Sequence, residues 1–135
     1  MSAPSLTLTK PADRTVDGPR FMHEAQQIVI EYDCERDDGT IDWSQIVFEE
    51  VIAFEYREAS CCREEDIVGP NEVRCLAESE LLTEILTRWK LAVGWQEWQQ
   101  QQGGAERFKH FTVFFDDACC INAVAASCRL VTIGV

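Results

Sequence analysis

Two pairs of adjacent cysteines carry the most reactive side chains in this sequence. The pairs are Cys61-Cys62 and Cys119-Cys120, and the chain holds seven cysteines in all. Structural zinc sites usually space their thiolates about two to four residues apart, whereas adjacent residues of a strand point to opposite faces. We therefore expect small buried side chains, with no bound metal and no cofactor. The alternative metal-ligand set is Cys61, Cys62, His110, Cys119 and Cys120.

A cysteine nucleophile would need a base, and the only histidines are His23 and His110. His110 precedes Cys119 by nine residues across an Asp-Asp turn, so a hairpin could bring the two side chains together. No Gly-x-Ser-x-Gly, no His-Glu-x-x-His and no Gly-rich phosphate loop is present in the sequence. The absence of these motifs favours a binding protein over an enzyme.

The charge of the chain narrows the class of partner. It has 12 basic and 24 acidic residues, a formal net charge of −12. Such a surface repels nucleic-acid phosphates and anionic membranes, and it attracts a basic protein. Carboxylates concentrated in the 49–66 region would steer such a partner, and exposed tryptophans would anchor it. The predicted contact residues are Glu49, Glu50, Glu64, Glu65, Asp66, Trp95 and Trp98.

The elements that must position these residues follow from the periodicity of the apolar side chains. Alternation or apolar runs predict strands over 26–34, 46–56, 73–77, 108–115 and 119–133. Asp38-Gly39 predicts the turn of a long antiparallel hairpin. Ser79, followed by apolar residues at helical spacing, predicts one amphipathic helix over about 79–92, before the last strand pair. The expected fold class is α+β, an antiparallel sheet or sandwich built from hairpins.

The N-terminal residues differ from the rest of the chain in composition. Residues 1–20 contain three prolines among polar side chains, which predicts a flexible tail with a short edge strand in 6–9. Residues 21–135 are then a single globular domain. The sequence has no apolar run of about 20 residues and no signal-peptide pattern. With an odd number of cysteines as well, we expect reduced thiols and a cytoplasmic protein.

One stretch resembles other proteins. Over 108–128 an aromatic strand, an Asp-Asp turn, a cysteine and a Val-Ala strand follow one another. This order resembles the closing hairpin of small bacterial proteins without a family name, although Ala118 stands where a glycine is expected. The resemblance implies a bacterial origin and assigns no role to any residue.

Small size, acidity and a cytoplasmic location are typical of proteins that neutralise a toxin, with carboxylates in place of substrate phosphates. We therefore expect a non-enzymatic acidic binding protein that docks or neutralises a basic protein partner, of the immunity or antitoxin type. The alternative is a small-molecule or metal-binding β-domain, with Cys/His enzyme chemistry as one form of it. A deep apolar pocket with convergent polar groups would favour the alternative, and a flat or convex acidic face would favour the binding protein. Homo-oligomerisation stays open.

Overall fold

Two antiparallel sheets pack face to face, with one helix on the outer side. The computed structural model describes residues 6–8, 19–69, 72–93, 104–115 and 118–134. In that part of the chain the sheet orders are β1-β6-β7-β8-β5 and β2-β3-β4-β9. The predicted α+β class with antiparallel sheets is confirmed. The elements are β1 Leu6–Thr7, β2 Arg20–Glu24, β3 Gln27–Glu35, β4 Ile41–Glu49, β5 Ala53–Glu58, β6 Glu72–Leu76, α1 Glu80–Val93, β7 Lys109–Phe115, β8 Cys119–Ala125 and β9 Ser127–Gly134.

The hairpin of β3 and β4 matches its sequence pattern. Gly39 has a φ of 87°, which the Asp-Gly turn supplies without steric cost. Alternate residues of both strands face inward, and Ile30 and Phe48 are fully buried between the sheets. At the start of this sheet, β2 pairs with β3 through a turn in which Ala25 has a φ of 53°. The sequence pattern did not predict β2.

Two of the predicted strands are each divided between the two sheets. The predicted strand 46–56 is in fact β4 and β5, and 119–133 is β8 and β9. The chain leaves β4 at Glu50, whose φ is 52°, and it leaves β8 at Ala126. The amide of Ala126 donates to the carbonyl of Glu49 at 3.0 Å, and the amide of Ile52 donates to Val124 at 2.9 Å. A two-stranded ribbon therefore bends from one sheet into the other.

The helix covers the outer face of the five-stranded sheet. Ser79 accepts a hydrogen bond from the amide of Leu82 at 3.0 Å, which caps α1 as predicted. Leu82 packs against Phe108 and Val124, and the ring of Trp89 meets that of Phe108 edge-on at 5.2 Å. In the described part of the chain, no helix is both long and apolar enough to cross a bilayer.

Within the predicted tail, residues 6–8 join the fold. β1 pairs with the edge of β6, and Leu8 is buried against the cluster between the sheets. That cluster also holds Tyr32, Val113 and Ile121, which are all nearly inaccessible to solvent. The inner faces of both sheets are therefore occupied by packing, so functional groups must lie on outer faces or edges.

Candidate functional site

The two cysteine pairs meet, but they form a disulfide. Cys62 and Cys120 are bonded, with their Cα atoms 6.1 Å apart. Cys120 lies opposite Arg57 in the β5–β8 ladder, and the chain after β5 turns back through Ala59–Cys61 to place Cys62 over that position. The prediction of seven reduced thiols is wrong because this turn was not visible in the sequence pattern. Cys119 faces the inner core, as expected for adjacent residues of a strand.

Neither the alternative metal site nor the cysteine–histidine pair is assembled. His110 lies opposite Val124 in the β7–β8 ladder, whereas Cys119 lies opposite Phe115. Five strand positions, about 16 Å, therefore separate the two side chains. Burial also raises the pKa of the Cys119 thiol to about 11. Among the described residues no three His, Cys, Asp or Glu side chains are grouped to hold a metal ion.

Instead, His110 belongs to a line of hydrogen bonds across the outer face of the five-stranded sheet. Its Nδ1 lies 2.8 Å from Ser79 Oγ, and its Nε2 lies 2.6 Å from Asn122 Oδ1. Asn122 Nδ2 in turn donates to Asp66 Oδ1 at 3.0 Å. Asp66 also accepts from the Arg63 guanidinium, whose Nε is 3.0 Å from its Oδ2. Four separate segments are thus joined through polar side chains, of which His110, Asn122 and Asp66 are buried.

The hydrogen bonds of Asn122 determine which of its amide atoms faces His110. The Asn122 amide nitrogen lies near two carboxylates, Asp66 at 3.0 Å and Glu55 at 3.4 Å, so its oxygen faces the imidazole. His110 Nε2 must then carry a proton and donate it to Asn122 Oδ1, and Nδ1 forms the second hydrogen bond of the ring, with the Ser79 hydroxyl. Ser79 has the connectivity of a nucleophile beside its base, but its oxygen also caps α1. The arrangement therefore holds helix, sheet and turn in fixed positions.

Asp66 remains ionised within this line. Burial opposes its charge, but the hydrogen bonds from Arg63 and Asn122 outweigh burial and hold the pKa of Asp66 below its usual value. Its side chain is only 2% exposed. Asp66 was predicted as a steering charge on the surface, and the structure instead buries its carboxylate against Arg63, whose own side chain is 41% exposed. The acidic run in the sequence gave no sign that one of its members turns inward.

A cavity of about 350 Å³ opens beside this line, between the turn Glu64–Asp66 and the start of α1. We call it the polar cavity. Thr112, opposite Asn122 in the ladder, lines it and is 2% exposed. Its hydroxyl oxygen has no hydrogen-bond partner among the described residues. The other lining residues are Arg63, Glu65, Asp66, Leu76, Ser79, Glu80, Leu81 and His110.

Aromatic side chains are exposed where the two sheets meet at one edge. The ring of Phe21 on β2 lies 5.8 Å from Phe54 and 5.7 Å from Tyr56, both on β5. We call these three residues the edge cluster. Phe21 is 41% exposed and Tyr56 is 52% exposed, and Met22, the next residue of β2, is 46% exposed on the opposite face of that strand. Sequence analysis missed the cluster because it did not recognise β2 as a strand.

The remaining predicted contact residues have different surroundings. Glu49 bonds to Arg129 and Glu50 to Arg107, each at 2.9 Å, whereas Glu64 and Glu65 are exposed. The two acidic groups are not brought together. Glu49 lies beside Ala126, and Asp66 lies over Asn122, about 13 Å away along the ribbon. Trp95 and Trp98 lie outside the described residues.

Comparison with models of protein families, with curated proteins and with solved structures finds no match to this chain. Its function must therefore be inferred from its own residues.

Proposed function

We propose that this protein binds a basic protein partner through the edge cluster and the carboxylates that follow it, in the manner of an immunity or antitoxin protein. The observation that carries the proposal is the exposure of Phe21 and Tyr56, whose rings contact each other at the edge of both sheets. Large apolar side chains exposed as a group favour a contact surface over a free one. Aromatic anchors of this type supply much of the binding energy at protein interfaces.

The charges around the edge cluster support a basic partner. Glu58 follows Tyr56 by two positions, on the same face of β5, and it is exposed. Glu64 and Glu65 are exposed a few residues further along the chain. With a net charge of −12 for the chain, a cationic surface would be drawn to this side of the molecule. The charges would raise the association rate, and the rings would slow dissociation.

The test is capture from lysate of the source organism, followed by kinetics on the captured protein. Immobilised protein should retain a partner of basic isoelectric point. The association rate should fall at least about tenfold between 0.05 and 0.3 M salt, because exposed charges are screened over a Debye length of about 8 Å at 0.15 M. Tyr56→Ser should accelerate dissociation about tenfold or more.

Two control variants distinguish binding at this surface from nonspecific hydrophobic adsorption and from a general effect of the negative charge of the protein. Leu91 is 80% exposed on α1, away from the edge cluster, so Leu91→Ser should leave dissociation unchanged. Glu64→Lys should slow association, whereas Glu35→Lys, at the far end of the β3–β4 hairpin, should change it little. A partner that responds equally to both members of either pair, or whose association ignores salt, would contradict the proposal.

A further inference from the structure

The strand β2 forms one edge of the four-stranded sheet. In the described part of the chain it is paired with β3 only, and all five of its residues, Arg20–Glu24, are exposed. An unpaired strand edge is a template for a further strand. We propose that β2 pairs antiparallel with β2 of a second copy of this chain, which joins the two four-stranded sheets into one continuous sheet. This contact is made by the strand edge, not by the rings of the edge cluster, and it goes beyond the binding of a basic partner.

The turn between β2 and β3 determines which main-chain groups of β2 point away from β3. It is a two-residue loop, closed by Glu24 opposite Gln27. The residues that close such a turn are hydrogen-bonded to each other, and hydrogen-bonded pairs alternate along an antiparallel ladder. The N–H and C=O groups of Phe21 and His23 therefore point to the free edge.

These main-chain groups fit a two-fold axis at Met22. When the two Met22 residues lie opposite each other, Phe21 of each copy lies opposite His23 of the other copy. Each of these pairs exchanges both of its N–H···O bonds, so the outward groups of both residues are satisfied. A contact of this kind uses the same residues on both copies and closes as a dimer.

Met22 is an exposed apolar residue for which the basic partner gives no role. It lies opposite Val29 in the ladder, on the outer face of the sheet, and it is 46% exposed. At the two-fold axis the two Met22 residues form a non-hydrogen-bonded pair, in which the side chains are closest to each other. Each covers the other, so the pairing removes apolar surface from water.

The charges of β2 match the same register. Arg20 and Glu24 lie two positions before and two positions after Met22, so each Arg20 comes opposite Glu24 of the second copy. Charged residues at a strand edge usually oppose pairing between copies. Because this order is self-complementary, opposite charges meet instead of like charges. The strand β9, at the other edge of this sheet, offers no such match, since Arg129 is its only charged residue.

Arg20 is able to change its partner when the dimer forms. In the single chain its guanidinium bonds to Glu31 at 3.1 Å and lies over the ring of Trp43, but its side chain is 61% exposed. Exposed side chains change rotamer rapidly, and exposed ion pairs contribute little to stability. Glu31 keeps its hydrogen bond from Gln45, at 3.1 Å, when Arg20 turns to the edge. The exchange of partners therefore costs little.

The first test combines sedimentation equilibrium with amide exchange, on the full chain from about 0.02 to 1 mM. The mass should rise toward twice that of one chain, with a dissociation constant of no more than about 0.3 mM. Amide protons of Phe21 and His23 should exchange at least about threefold more slowly at the highest concentration, since they are bonded only in the dimer. The Met22 amide, bonded to β3 in both states, should change less than about twofold.

The second test exchanges the charges. Arg20→Glu and Glu24→Lys each place like charges opposite one another at both ends of the contact, so each variant alone should dimerise at least about tenfold more weakly. An equimolar mixture of the two variants restores opposite charges at both ends and should associate within about threefold of the wild type. Glu35→Lys makes the same change of charge at the far end of the β3–β4 hairpin and should have no effect.

Several results would overturn the proposal. These are a monomer at every concentration, no recovery in the mixture, an equal loss in Glu35→Lys, or equal protection of the Met22 and Phe21 amides. Cys61→Ala should dimerise like the wild type, and its failure to do so would assign the dimer to a disulfide through this exposed thiol. Tyr56→Ser should also dimerise normally, and a loss there would place the contact on the edge cluster instead. Failure of the strand pairing is thus distinguishable from failure of the basic partner to bind.

Discussion

Removing the covalent link between Cys62 and Cys120 should lower the free energy of unfolding by about 4 kcal/mol. The two residues are 58 positions apart in the sequence. For a loop of this length, the chain-entropy model gives about 14 cal/mol/K, or about 4 kcal/mol at 25 °C. With a urea m-value of about 2 kcal/mol/M, the midpoint of unfolding should move down by ~2 M.

The assay compares urea unfolding of the oxidised protein, of the same protein reduced before unfolding, and of Cys62→Ala/Cys120→Ala. Reduction removes only the bond, whereas the double variant also truncates Cys120, which is fully buried. The variant should therefore lie at or slightly below the reduced protein. Cys61→Ala is the control, because Cys61 is exposed and free. Thiol titration of oxidised, denatured protein should find five of the seven cysteines.

Two results would refute this reasoning. Seven titratable thiols in freshly purified protein would show that the bond does not form. Identical urea midpoints for oxidised and reduced protein, with five thiols, would show that the closed loop is already restricted in the unfolded chain.

Three further substitutions test the surroundings of the site and the backbone. Thr112→Val should raise stability by about 1 kcal/mol in urea unfolding, since the buried hydroxyl has no partner to lose. Asp66→Asn should cost about 2 kcal/mol at pH 7, because charge-assisted bonds to Arg63 and Asn122 weaken. The lowered pKa of Asp66 means that its stabilisation is complete above an unfolded-state pKa of about 3.9 and is lost as pH falls through the folded value. Ala25→Gly should raise the melting temperature by an amount equivalent to about 0.5–1 kcal/mol, because a φ of 53° is strained for alanine.

Each of these three predictions has a result that would contradict it. A destabilised Thr112→Val protein would indicate that water or another group bonds the hydroxyl in solution. A wild-type advantage over Asp66→Asn that is as large at pH 3 as at pH 7 would contradict the role of the ionised carboxylate. Ala53→Gly, within β5 where no positive φ is needed, should destabilise. If Ala25→Gly destabilises equally, the turn is not strained.

Residue types and their spacing in short stretches of the sequence predicted the elements that depend only on neighbouring residues. Ser79 and the apolar spacing after it predicted α1, and Asp38-Gly39 predicted the β3–β4 turn. The divided strands could not be predicted in the same way, because apolar residues resume directly after Glu49-Glu50 and continue through Ala126 while the chain changes sheet. The positive φ of Glu50 has no signature in its residue type. It is imposed by the hydrogen bonds on either side of the corner.

The candidate sites depended on contacts between distant segments, which a pattern along the chain does not contain. His110 was noticed for its chemistry, but its partners Ser79 and Asn122 come from the helix cap and from β8. Asn122 stands alone as a polar residue within the apolar run of β8, and that isolation was the available signal. The disulfide likewise required knowledge of the β5–β8 register. The edge cluster required a strand that the pattern missed.

The bent ribbon has a consequence for how the molecule opens. The chain passes from one sheet to the other twice, from β4 into β5 and from β8 into β9. These two segments are hydrogen-bonded to each other at the corner. The sheets cannot part as separate bodies without breaking the Ala126–Glu49 and Ile52–Val124 bonds. Amide protons deep in both sheets should therefore exchange with solvent through one common opening event, with equal free energies. Many ribbon contacts also join residues far apart in sequence, so formation of this corner should be a slow step of folding, on the millisecond-to-second scale.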